Sequence, residues 1–292
     1  DDYIGNTLIP ELKKLDPTRV WDAGYMTGEH MALDEMDEPH PYEGPECSLP
    51  WLGKHVYPLG DLNYRNSLNI RTMQSNATQL VNEYGWVWLL RNGNPAKLTV
   101  KFYNYYLGEN TTTEQRREFQ AYWLQLETEW LRSQSYHAGV LAFCYLTNNY
   151  GYTGDWFINN IKDLEPSPTL NWFKHAFAPQ AVFINLTDGR YMKQQLPYSP
   201  GNTLSFDLYC INDKNNPASG NVDLKIYDAN GHAEKAGQWQ VSIPETGNSS
   251  IPVSVKLPEK PGGYLLVANF LNINGEKTVS RRYIKIGEAK IY

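Results

Sequence analysis

No run of about twenty uninterrupted apolar residues occurs anywhere in the chain, as a membrane-spanning helix would require, and mean hydropathy is −0.55. A membrane span is therefore not expected. A basic excess is also missing: 26 Lys and Arg stand against 32 Asp and Glu, a net charge of −6. A protein that tracks nucleic-acid phosphates would need the opposite balance, so nucleic acid is not an expected partner. Cysteine is scarce. The 3 present, Cys47, Cys144 and Cys210, lie far apart and form no CxxC pair, so they provide neither a disulfide framework nor a metal knuckle. Cys144 and Cys210 sit in apolar, alternating contexts and read as small buried hydrophobes. The nucleophile elbow, P-loop, dinucleotide fingerprint, zincin and EF-hand spacings are all absent. The 6 histidines, His30, His40, His55, His137, His175 and His232, lack ligand spacing, and neither a metal nor a cofactor is expected. The acidic stretch Asp34, Glu35, Asp37 and Glu38 between His30 and His40 reads as a solvated loop.

What remains is a core-forming chain of 292 residues, 41% hydrophobic and rich in 21 Tyr and 9 Trp. The apolar fraction is too high for a disordered chain, and the length favours two domains. Large amphipathic rings suit deep cores and sugar-stacking surfaces alike, since a ring face packs on a pyranose while the polar edge bonds hydroxyls. The chain opens on Asp1 without a signal-peptide pattern and enters a helix-like segment almost at once, so a start inside a larger protein is expected.

Composition changes near Pro179. Beyond it the segments Ala181–Leu186, Thr203–Ile211, Val222–Tyr227, Gln238–Ile243, Ile251–Lys256, Tyr264–Asn272 and Thr278–Ile286 alternate or carry β-branched and aromatic residues, the period of a strand. Asn230-Gly231 and Asn274-Gly275 supply hairpin turns. The pattern predicts an antiparallel β-sandwich of immunoglobulin type, without the cysteine pair of antibody domains. Before Pro179, helices are expected over Thr7–Leu15, Thr113–Arg132 and Thr169–Ala178. The long one shows Phe119, Trp123, Leu126 and Trp130 on one face, with Thr111 and Glu114 placed as a capping box. Ser167-Pro168 starts the last. Short apolar runs at Arg19–Tyr25, Leu33–Tyr42, Thr78–Tyr84 and Gly139–Thr147 read as strands between them. Helices alternating with single strands are the cadence of βα units.

In βα barrels the chemistry sits at the carboxyl ends of strands, and each of these runs ends in polar or aromatic residues. Glu83 is the sharpest candidate: it closes an apolar run, follows Asn82 and precedes Tyr84-Gly85-Trp86. An ionised, immobile carboxylate hydrogen-bonded from the side is what a glycosidase nucleophile needs, although a Glu so placed also fits a plain salt-bridged residue. His40 and Tyr42 stand in a proline-fixed segment, and His55 and Tyr57 in a long insertion that reads first as structure. Asn148, Asn149 and Asp155 follow the last strand run and fit hydroxyl binding or turn geometry equally; Trp156 comes next.

Asn82-Glu83-Tyr84-Gly85-Trp86 resembles the S/N-E-Y/F-G segment on the seventh barrel strand of glycoside hydrolase family 2 enzymes, the β-galactosidase, β-glucuronidase and β-mannosidase relatives. Asp16-Pro17-Thr18-Arg19 looks like the lead into their fifth strand. The resemblance implies the second half of a (β/α)8 barrel in residues 1–179, carrying strands five to eight, and an immunoglobulin-like sandwich in residues 180–292. It implies retaining hydrolysis of an oligo- or polysaccharide with Glu83 as nucleophile. His40, Tyr42, Asn82, Tyr84, Trp86, Asn148 and Trp156 would then line the substrate, with no cofactor. The acid/base Glu of this family ends strand four in an Asn-Glu pair, and Asn82-Glu83 is the chain's one such pair, so that group is expected upstream of Asp1. The remaining barrel strands, on the same polypeptide, would be the partner of this chain, which alone should be inactive or poorly soluble. An extracellular or periplasmic setting is implied by the resemblance alone. The rival expectation is a non-catalytic carbohydrate-binding or scaffold protein with a degenerate barrel.

Overall fold

The computed structural model describes residues 3–22, 36–38, 59–64, 78–192 and 195–288. A few helices and many antiparallel strands make up this part of the chain. A π turn at Ile4–Leu8 runs into helix α1 (Ile9–Leu15), so the expected first helix is split in two. Strands β1 (Met36–Asp37), β2 (Thr78–Tyr84) and β3 (His137–Ala142) pair in parallel in the order β1-β2-β3. Met36 N–H also donates to the carbonyl of Trp21 at 3.0 Å, which places the expected first strand run beside β1. Tyr25 and most of the Leu33–Tyr42 run fall outside the described residues.

Three helices accompany this sheet, α2 (Val100–Leu107), α3 (Thr113–Ser133) and α4 (Pro168–Ala176), of which α3 packs on β3 and α4 on α3. The start of α3 differs by one residue from expectation. Thr112, not Thr111, is the N-cap; its side chain accepts from Gln115 N, and Gln115 reaches back to the cap. Three successive threonines face two acceptors, Glu114 and Gln115, and the backbone settles on the pair that completes both bonds. Helix α2 was not evident from the sequence, because Val100-Lys101-Phe102-Tyr103 carries β-formers. Burial of Phe102 against Phe119 and Trp123, at 5.8 and 5.0 Å between ring centroids, outweighs that weak preference.

The remaining strands are β4 (Gln180–Asn185), β5 (Thr203–Asn212), β6 (Ala218–Tyr227), β7 (Ala233–Ile243), β8 (Gly247–Lys256), β9 (Gly262–Asn272) and β10 (Lys277–Ile286). They form two antiparallel sheets, ordered β4-β5-β8 and β10-β9-β6-β7. Val182, Leu208 and Val253 of one sheet meet Val222, Leu266 and Ile284 of the other in a single apolar core. The hairpin turns contain Gly231 and Gly275 at φ +81° and +83°, a region glycine enters without penalty.

Helix α3 lies between these two parts. From Phe119 to Leu131 every residue is buried, polar ones included. One side packs on β2, where the Tyr84 hydroxyl meets Thr128 at 2.5 Å. The other side faces β10, where Arg282 pairs with Glu129 at 2.8 Å and neither side chain is exposed. Gln125 donates to the Val279 carbonyl at 2.6 Å, and Tyr122 donates to Asp188 at 2.7 Å. A helix buried all round must satisfy its polar groups within the protein, as these bonds do for Tyr122, Gln125, Thr128 and Glu129.

Candidate functional site

The site is built at the carboxyl end of β2. Register fixes its shape: Val81 stands opposite Val140 and Tyr84 opposite Ala142. Two residues, Asn82 and Glu83, thus face one on β3, a β-bulge. A bulge re-aims side chains that regular pleating would send to opposite faces. Val81 and Tyr84 are buried toward the helices, whereas Asn82 and Glu83 are half-buried.

Beyond β2 the chain turns sharply. Gly85 sits at φ +101°, and a Cβ there would come within 2.8 Å of Leu124 Cδ2. Trp86 and Trp88 follow with centroids 4.7 Å apart. Each indole N–H is used by the protein: Trp86 Nε1 donates to Leu98 O at 3.2 Å and Trp88 Nε1 to Phe143 O at 2.7 Å. Trp86 remains half-buried, with part of its ring accessible.

The second wall is the segment after β3. Strand β3 ends at Ala142, short of the expected Thr147, although Phe143 N–H still donates to the Tyr84 carbonyl at 2.9 Å. Cys144 comes next and is half-buried rather than buried. Its thiol is pushed up to about 11, first by burial and then by the negative charges of Asp155 and Glu83. The shift leaves Cys144 a neutral thiol at working pH, poorly suited to be a nucleophile.

Arg91 holds this segment in shape. Its Nη2 donates to Asp155 Oδ2 at 2.6 Å and to the Thr147 carbonyl at 2.7 Å, while Nε donates to Oδ2 at 3.1 Å. Asp155 also accepts from the backbone N–H groups of Thr147 and Phe157 at 3.1 and 3.2 Å. With no exposed side-chain surface, Asp155 is a structural anchor and is withdrawn from substrate. Tyr145, 60% exposed, Tyr150 and Tyr152 project from the segment so fixed.

Two expected substrate residues are corrected by burial. Tyr84 points into the helical layer, fully buried, and cannot wall a sugar. Trp156 is also buried, packed edge-on against Phe173 at 4.6 Å, so it supports α4 instead of flooring a subsite. Asn148 is exposed, but its side-chain oxygen accepts from Tyr150 N–H at 3.1 Å and shapes the turn. Asn82, Glu83 and Trp86 share one strand end. His40 and Tyr42, like His55 and Tyr57, lie outside the described residues. The residues missed from sequence are Arg91 and Thr128, whose roles depend on partners 64 and 44 positions away.

A carboxylate on a bulge at a strand end, flanked by a partly open indole and a fixed, tyrosine-bearing segment, can hold a positive or electrophilic carbon. No group of three or more His, Cys, Asp or Glu able to hold a metal occurs among the described residues. Among the described residues no helix is long and apolar enough to cross a membrane.

No family model matches the chain, and no curated protein does. Among solved structures, a β-D-mannosidase from Dictyoglomus thermophilum matches 97% of this chain with a TM-score of 0.59 at 15% identity. Matches to a superoxide reductase (neelaredoxin) from Ignicoccus hospitalis and a β-glucosidase from Erythrobacter marinus cover 31% and 32% of the chain and 74% and 14% of those proteins. Their identities are both 12%, and their TM-scores of 0.25 and 0.27 are too low to bear on the fold. The chain spans 34% of the mannosidase, and over nearly its whole length it is similar in fold to that third of a glycosidase.

Proposed function

We propose that this chain belongs to a retaining glycoside hydrolase, with Glu83 as the nucleophile. The observation that carries the reading is the position of Glu83: on a bulge at the carboxyl end of a parallel strand, in a fold like that of a β-D-mannosidase. In the mechanism, a Glu83 carboxylate oxygen attacks the anomeric carbon and forms a glycosyl ester. The departing glycosidic oxygen takes a proton from a second carboxyl group. That group, now a carboxylate, then removes a proton from water as the water cleaves the ester and releases Glu83. The two carboxyls of such a pair stand about 5–5.5 Å apart. Asp155 cannot be the second, because its carboxylate is committed to Arg91 and has no exposed side-chain surface. The partner is proposed to come from the two-thirds of the mannosidase-like architecture that this chain does not span.

The same reading takes residues 1–179 as strands five to eight of a (β/α)8 barrel and residues 180–292 as an immunoglobulin-like domain. In its support, β3 is half-buried along most of its length and its other edge is unpaired among the described residues, whereas parallel strands are normally covered on both faces. The three-and-four strand order of the two antiparallel sheets fits an immunoglobulin-like topology. Carbohydrate would be the substrate and the rest of the polypeptide the partner, in an extracellular or periplasmic setting.

Glu83→Gln in the full-length protein tests the assignment. Hydrolysis of 4-nitrophenyl β-D-mannopyranoside and related aryl glycosides should fall by 10³-fold or more, by roughly the magnitude lost when a nucleophile is removed. Near-normal turnover by the folded variant would instead favour the non-catalytic, carbohydrate-binding reading.

A further inference from the structure

We propose that the cleft between α2, α3 and the loop after β4 is a second binding site, for one neutral pyranose sugar, set apart from Glu83. The cleft holds about 180 Å³ and is walled by Tyr106 and Leu107 of α2, Gln115 and Glu118 of α3, and Arg190 and Tyr191. That is the space of about six waters in the liquid, enough for one sugar ring and too little for a chain of them. None of these residues lies on β2, on β3 or in the segment after it. The Tyr191 hydroxyl is the observation that points to a ligand. Tyr191 is 6% exposed, and its ring packs on Phe119 and Tyr122 at 4.8 and 5.8 Å between centroids. Its hydroxyl nevertheless makes no hydrogen bond among the described residues, and the oxygen is not closed off from solvent. A buried phenol normally finds a partner; this one faces the cleft it lines.

The other polar groups define the ligand. Arg190 Nη1 and Glu118 Oε1 are 3.7 Å apart, so the described walls carry no net charge. An anion would meet the Glu118 carboxylate and a cation the Arg190 guanidinium, which leaves a neutral molecule. The Tyr283 hydroxyl also donates to Glu118 Oε1, so Oε2 remains as an acceptor. Gln115 Oε1 is committed to the Thr112 N–H at 2.9 Å, so Nε2 remains as a donor. A carboxylate, a guanidinium, an amide and a phenol suit the hydroxyls around a sugar ring, while Tyr106 and Leu107 offer its C–H groups an apolar wall. The frame is preformed. Asp188 Oδ2 accepts from the backbone N–H groups of Arg190, Tyr191 and Met192, and its Oδ1 from the Tyr122 hydroxyl. The Arg190 guanidinium lies 4.8 Å from the centre of the Tyr283 ring. Binding here would therefore cost little ordering of the protein.

The test titrates methyl pyranosides of the manno, gluco and galacto series into the full-length protein, read on the methyl resonances of Leu107. At least one sugar should shift them saturably, with a Kd in the millimolar range. Tyr191→Phe breaks no hydrogen bond among the described residues and should keep the parent's melting temperature, yet weaken binding by about three- to tenfold. Glu118→Gln keeps an acceptor for Tyr283 and should weaken binding by about tenfold or more. Glu83→Gln, at a separate site, should leave this Kd within about twofold of the parent's, so its effect on turnover is read apart from binding here. The absence of a saturable shift with all three sugars overturns the proposal. A Kd within about twofold of the parent's in either Tyr191→Phe or Glu118→Gln does so too, as does tighter binding of sodium sulfate than of any of the sugars.

Discussion

Arg282 on β10 donates to Glu129 on α3 at 2.8 Å, with no exposed surface on either side chain. The contact joins the antiparallel sheets to the helix that backs β2. Burial pushes the Glu129 carboxyl up, and the Arg282 guanidinium is the main opposing influence. Removing one partner strands the other charge in the interior. Arg282→Met should therefore cost about 3–5 kcal/mol, read from urea unfolding, whereas Arg282→Met with Glu129→Leu should recover most of it. Equal losses in the single and double variants would refute a paired-charge account.

His137 links stability to acidity. Its ring is mostly buried, Nδ1 lies 2.9 Å from the Leu131 carbonyl, and burial pushes the imidazole down to about 4. In the unfolded chain it titrates near 6.5, so below that pH the unfolded state takes up the proton first. The contribution is complete above pH of about 6.5 and is lost as pH falls toward about 4, on the order of 3 kcal/mol in all. His175, also pushed down to about 4, chiefly by burial, acts in the same direction. Glu129 and Asp188, raised by burial, act oppositely, so the comparison must be with His137→Gln. Unfolding midpoints between pH 7.5 and 4.5 should fall more steeply in the parent than in that variant; parallel slopes would count against it.

Asp155→Asn should loosen the segment after β3 without unfolding the chain. Arg91 would lose its charged acceptor while keeping the Thr147 carbonyl, at a cost of about 2–4 kcal/mol, in the range for breaking a charged, buried contact. Hydrogen exchange across residues 144–157 should accelerate, with exchange in β4–β10 unchanged. Protection equal to that of the parent would show that Arg91 does not hold the segment.

Gly154 presses on the turn carrying Trp88 and Leu89. An added Cβ would sit 1.8 Å from the Leu89 carbonyl oxygen, so Gly154→Ala must move backbone and should destabilise by about 1–3 kcal/mol or more. An unchanged melting temperature would contradict that close approach.

Much of the fold was readable because its periodicities are strong. All seven strand runs after Pro179 form strands, extended by up to five residues at their starts, since alternation marks a face but not where pairing begins. The long helix was equally plain from Phe119, Trp123 and Trp130. The site was readable only as a location. Glu83 could be placed at a strand end, but the bulge that turns it depends on the register of a strand more than 50 residues away. For the same reason Tyr84 and Trp156 looked like surface aromatics: alternation cannot say which face is covered by helices. Helix α2 was hidden because its composition favours strands and its packing partners are supplied by α3.

The burial of α3 on every side has a consequence for how the chain comes apart. The helix is a shared wall, so neither the parallel sheet nor the antiparallel pair can lose its order while the other keeps all its contacts. Heating should therefore produce one calorimetric transition, with van't Hoff and calorimetric enthalpies in agreement. A cut placed between Pro179 and Gln180 would leave β10 with Arg282 facing water, and neither piece would inherit the stability of the whole.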